Sequence, residues 1–159
     1  MRFLRTAMAA LTAMALAGAA AGADMAPRPG WAVHPTDKDF AALADAVKAA
    51  VADNGMAVVT QAGPTEAAAR RGIEIPGNRV IGVFNNDFAV RVLATSTAAM
   101  IEAPIRFYVT ENADGNATLS YKLPSTVFAP YLDEGGADLA ALAAELDRHF
   151  AAIAAQAAE

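Results

Sequence analysis

IRFYVTENADGNATLSYKL, residues 105–123, is the stretch on which the fold turns. Ile105, Phe107 and Val109 alternate with Arg106, Tyr108 and Thr110, and beyond a turn Leu119, Tyr121 and Leu123 alternate with Thr118, Ser120 and Lys122. A period of two marks a strand with one face buried and one open, so the stretch predicts an antiparallel hairpin. Its register depends on the turn. A two-residue Asp114-Gly115 loop would pair Phe107 with Lys122 and Val109 with Ser120, mixing core and polar residues on one face. A three-residue loop, Ala113-Asp114-Gly115, pairs Phe107 with Tyr121 and Val109 with Leu119. It also gives Gly115 the left-handed position such a loop needs. The three-residue loop is predicted.

Upstream, Arg79 to Phe84 reads as a strand, and Asn86 is expected to cap a helix with the stripe Phe88, Ala89, Val92 and Leu93. A less regular segment, Ala98 to Glu102, runs into Ala103-Pro104. Gly63-Pro64 opens a short helix, Thr65 to Arg71, where Pro64 costs no amide and Arg70-Arg71 complement the dipole. Met56 to Thr60 reads as a buried strand. Before it, Thr36 and Asp39 suggest a capping box for a helix whose apolar stripe is Phe40, Leu43, Ala44, Val47 and Val51, closed by Asn54-Gly55. Trp31 to His34, closed by Pro35, is a short first strand, with Trp31 a packing anchor.

Downstream, the chain is expected to run irregularly from Pro124 to Tyr131 and to break at Asp133-Glu134-Gly135-Gly136. Asp138 then caps a last helix striped by Leu139, Leu142, Leu146, Phe150 and Ile153, which must dock on its own sheet or on a partner chain. The order strand, helix, strand, helix, strand, helix, hairpin, helix predicts an α+β two-layer domain. It has a largely antiparallel sheet of about five strands backed by helices, with an amphipathic C-terminal helix. A doubly wound parallel fold is the alternative, weakened by the hairpin and by the lack of a glycine-rich phosphate loop.

The 159 residues suit a single domain over residues 31–157, preceded by a flexible segment, 24–30, carrying Pro27 and Pro29. Residues 1–23 read as a signal peptide. Arg2 and Arg5 give a basic start, Ala7 to Ala17 an apolar run too short to span a bilayer, and Ala21-Gly22-Ala23 a small-residue cleavage site. Cleavage after Ala23 predicts a periplasmic or secreted protein with no membrane attachment thereafter. Without Arg2 and Arg5 the twelve basic residues become ten against seventeen acidic ones, so the net charge moves from −5 to −7. Such a balance disfavours phosphate backbones, and nucleic acid is not an expected partner. The chain has no cysteine, which excludes disulfides, thiolate nucleophiles and Cys-ligated zinc, iron–sulfur or haem groups.

From about Gly72 to Tyr131 the chain resembles the family called "domain of unknown function 302". The matching pieces are Gly72-Ile73-Glu74-Ile75, the strand ending in Asn85 and Ala103-Pro104-Ile105-Arg106. Asn112-Ala113-Asp114-Gly115, Leu119-Ser120-Tyr121 and Pro124 with its hydrophobic tail follow in the same order. The resemblance implies a small, often secreted α+β domain with a sheet backed by helices, in a family where dimers are plausible. Several family features are altered here. Asn85-Asn86 and Phe84 stand where relatives often have Asn-Pro and a preceding glycine, and Gly63-Pro64 where many have Asp-His. Phe84 and Ile105 occupy positions that are cysteines in one branch.

The usual catalytic sets are not legible. His34 and His149 lack zinc-site spacing and read as surface or helix-end histidines, and no metal site is expected. Ser96, Ser120 and Ser125 lack a nucleophile elbow, the acidic residues form no EF-hand ladder, and Asp133-Glu134 reads as a solvated loop. What the strand pattern gathers is Asn85 at a strand end with Arg106, Tyr108 and Lys122 on one sheet face. That set fits a non-catalytic module binding a small ligand or an envelope protein, as a homodimer. The alternative is an enzyme with a site near Asn85 and the Arg106/Tyr108 face. No cofactor is identified.

Overall fold

The structure, a computed structural model, describes residues 24–159. The expected leader and its cleavage after Ala23 lie outside the described residues. Five strands form one antiparallel sheet: β1 (Trp31–Pro35), β2 (Ala57–Ala62), β3 (Asn78–Phe84), β4 (Ile105–Glu111) and β5 (Ala117–Lys122), in the order β1-β5-β4-β3-β2. The helices are α1 (Phe40–Asp53), α2 (Thr65–Ala69), α3 (Asn86–Thr95), α4 (Pro124–Phe128) and α5 (Leu132–Ala158), with 3-10 turns at Ala99–Glu102 and Ala129–Tyr131. This is the α+β, two-layer, antiparallel architecture that the alternation predicts, and the parallel alternative falls away.

The hairpin has the predicted register: Phe107 faces Tyr121 and Val109 faces Leu119. Asn112 donates its backbone N–H to the Asn116 carbonyl at 2.7 Å, which closes a three-residue loop with Gly115 at φ +87°. Only that register sends Phe107, Val109, Leu119 and Tyr121 to the same side, where all four are buried. α1 and α5 lie side by side over this face and contribute Leu43, Val47, Val51, Leu139, Phe150 and Ile153. Phe107 stacks on Phe150 at 4.6 Å between ring centres, and Tyr121 meets Phe107 edge-on at 5.2 Å. The stripe of the last helix is thus spent inside its own chain and is not offered to a partner.

Several local expectations are corrected. Asp39, not Thr36, caps α1, accepting from the Ala42 N–H at 2.8 Å; the Thr36 hydroxyl instead donates to the Ala117 carbonyl and ties β1 to the hairpin. β2 is not a buried strand but the exposed edge of the sheet, bulged between Val58 and Thr60. Its apolar letters say nothing about how many neighbours it has. α2 stops at Ala69, two residues early, and Asn85 rather than Asn86 caps α3. The chain after Pro124 is helical rather than irregular, and the expected break narrows to Gly136, at φ 57° and ψ −148° inside α5. Its positive φ is tolerated because glycine has no Cβ. Among the described residues no helix is long and apolar enough to cross a membrane.

Candidate functional site

The face of the sheet opposite α1 and α5 is assembled by register. Trp31 on β1 pairs with Lys122 on β5; the β4–β5 register, carried one residue further, sets Arg106 opposite Lys122; and Arg106 pairs with Gly82 on β3. The next row is Val33, Ser120, Tyr108 and Val80, and the third is Pro35, Thr118, Thr110 and Asn78. Strands about 4.8 Å apart place neighbours in a row within side-chain reach. The taller side chains of these rows stand around a depression.

That depression is a cleft of about 390 Å³ bounded by Trp31, Asn78, Val80, Arg106, Tyr108 and Lys122, with Glu102 and Val127 at one end. The Asn78 side-chain amide donates to the Tyr108 hydroxyl at 2.5 Å and fixes the phenol. The Lys122 ammonium sits 5.8 Å from the centre of the Trp31 ring, and the Arg28 guanidinium 5.3 Å from it, both within cation–π range. Glu102 accepts the Tyr131 hydroxyl at 2.7 Å, and that bond to a carboxylate keeps the phenol of Tyr131 protonated to higher pH than usual. Burial pushes the Tyr121 phenol up as well, with Asp147 adding to it; its ring belongs to the core, packed on Phe107 and Phe150. Ser120 is fully buried in the row beside Tyr108, and its hydroxyl has no protein partner.

Three of the four residues singled out in the sequence, Arg106, Tyr108 and Lys122, therefore line one cleft. Asn85 does not join them. Its carboxamide oxygen accepts from the N–H groups of Asp87 and Phe88 and its nitrogen donates to the Gly55 carbonyl, so it is engaged in starting α3. It borders a second, wholly different pocket between α3 and the sheet, lined by Met56, Val83, Phe88, Met100 and Phe128. That pocket holds about 40 Å³ and is apolar apart from Asn85 at its border. The histidines are not a surface pair: the His34 ring stacks against Tyr121 at 6.0 Å with its Nε2 buried, and His149 meets Phe88 edge-on at 5.2 Å. Glu134 is exposed as expected but lies in the first turn of α5 rather than in a loop, and it accepts the Ser96 hydroxyl at 2.6 Å.

The cleft residues that escape the sequence are Trp31, Asn78, Val80 and Glu102. The long-range pairing of β1 with β5 brings Trp31 in, and no local pattern announces it. Asn78 and Val80 escape because β3, Asn78–Phe84, has adjacent apolar residues at Val80-Ile81 and Val83-Phe84 and so no period of two to assign its faces.

No curated protein matches the chain. The crystal structure of an uncharacterized conserved protein DUF302 from Bacillus stearothermophilus is similar in fold, with a TM-score of 0.72 at 17% identity, over 82% of this chain and 99% of that one. The family profile described as "Domain of unknown function DUF302" matches residues 32–157, the whole sheet and the helices that back it. The chain belongs to the DUF302 family.

Proposed function

We propose that the chain is a periplasmic or secreted binding module without catalysis of its own, and that its small ligand occupies the outer-face cleft. The observation that carries this is the cleft itself: a concavity of about 390 Å³ with aromatic walls and two basic side chains turned to one place. That is near the lower end of the range in which small-molecule sites are found. An enzyme at the same spot would need a group displaced in pKa within reach of a substrate. The displaced groups at the cleft are two phenols, Tyr121 in its lining and Tyr131 on Glu102, both raised and so held protonated, while the displaced carboxylates and guanidinium belong to the surface pairs of Asp45 with Lys48 and Glu145 with Arg91. Export rests on the basic start, short apolar run and Ala21-Gly22-Ala23 of the sequence.

Pairing into a homodimer belongs to the same proposal, though not through α5. Val90 and Leu93, one turn apart on α3, are 59% and 50% exposed, and Ile101 on the adjoining 3-10 turn is 78% exposed. They are apolar surface of the kind a second copy covers. Native mass spectrometry of protein recovered from its own periplasm reads all three parts together. The expected spectrum is a dimer of chains beginning at Asp24, carrying an added small mass. A monomer retaining its leader, with no added mass, would overturn the proposal, and a co-purifying envelope protein would replace the small ligand.

A further inference from the structure

We infer that the cleft takes an anion on a flat apolar body, an aromatic carboxylate being the simplest member of the class; this rests on the cleft being the binding site. The β4–β5 register, carried one residue past Phe107 and Tyr121, sets Arg106 opposite Lys122 on adjacent strands, and both line the cleft. Like charges so placed destabilise a sheet. Both residues are exposed, and neither belongs to the ion pairs among the described residues, which join Lys48 to Asp45, Arg79 to Glu66 and Arg91 to Glu145. The one carboxylate lining the cleft, Glu102, makes no ion pair with either and is engaged by the Tyr131 hydroxyl. An anion lying between the two basic heads supplies the missing counter-charge.

Arg106, Lys122 and the Arg28 guanidinium on the Trp31 ring outnumber the one carboxylate lining the cleft, Glu102, which is held by Tyr131, so the site favours an anion. The body of the ligand follows from the walls. Trp31 and Tyr108 offer ring surfaces and Val80 an apolar floor, and the indole already attracts cations from Arg28 and Lys122.

Trp31 is the only tryptophan, so its indole N–H gives a single signal in a nitrogen–proton NMR spectrum. The full exported chain is titrated with 2-naphthoate, its neutral isostere 2-naphthamide, and inorganic phosphate. Naphthoate is expected to shift the Trp31 indole and the amides of Arg106, Tyr108 and Lys122 saturably, at least about tenfold more tightly than naphthamide or phosphate. That tenfold difference corresponds to about 1.4 kcal/mol. Arg106→Gln with Lys122→Gln should remove the preference while leaving the folded spectrum intact. Equal binding of naphthoate and naphthamide, or naphthoate binding unchanged in the double variant, overturns the anionic class and leaves the cleft standing as the site. Phosphate binding as well as naphthoate overturns the flat body. No shift at the cleft with any probe overturns both the inference and the site.

Discussion

Asn85 and Arg106 show how differently two polar residues of one short region are employed. Asn85 satisfies two orphan N–H groups at the start of α3 and ties that start to the end of α1 through Gly55. Asn85→Ala is expected to cost about 1–2 kcal/mol, the range for a lost helix cap, with no effect on the cleft. Urea unfolding measures it, and a change within error would remove the structural role. Arg106→Gln should do the reverse. Relieving a like-charge opposition on adjacent strands is expected to stabilise by about 0.2–1 kcal/mol, read by the same method at low salt, where screening is least. Tyr121 adds a pH dependence. Its folded pKa lies above the ordinary phenol value of about 10 because burial penalises the phenolate. The folded state therefore holds this proton more tightly than the unfolded one. Its contribution is complete below about pH 10 and is lost as pH rises through the folded pKa. Tyr121→Phe should make stability above pH 10 less steeply dependent on pH, and an unchanged slope would contradict the assignment.

The hairpin of β4 and β5 was legible in full because period-two alternation leaves one register that puts four apolar residues on one face. α5 was legible as an amphipathic helix, and its docking on its own sheet was one of two outcomes its stripe allowed. Phe150→Ala tests that docking. Phe150 is fully buried on Phe107, and its truncation should cost about 3–5 kcal/mol in thermal or denaturant unfolding. A loss under about 1 kcal/mol would mean the helix is not held there. β2 was misjudged because Met56, Ala57, Val58 and Val59 have the same letters whether the strand is central or at an edge; Val59 is 50% exposed. The helix starts at Asp39 and Asn85 were missed by small steps, since Thr36 and Asn86 are chemically suitable caps nearby. Which of two suitable side chains caps a helix is decided by where the preceding strand delivers the backbone.

On the scale of the whole molecule, one layer of helices covers one sheet face, and the sequence shows only half of what stands around the cleft on the other. Arg106, Tyr108 and Lys122 share that face by alternation alone, whereas Trp31 reaches it through the pairing of the first strand with the last, across about ninety residues of chain. The same topology carries Asn85 to the other layer, out of the cleft. Core and cleft meet at Ile105 and Tyr121, which line the cleft from the core, while Arg106, Tyr108 and Lys122 stand on the opposite side of the sheet from Phe107 and Phe150. The most direct measurement is a nitrogen–proton NMR screen of the exported protein against fragments of mixed charge and shape. Saturable shifts gathered on the Trp31 indole and the amides of Val80, Arg106, Tyr108 and Lys122 are predicted. Shifts centred on Met56, Phe88 and Met100 at the small apolar pocket, or no saturable shift anywhere, would contradict the outer face as the binding site.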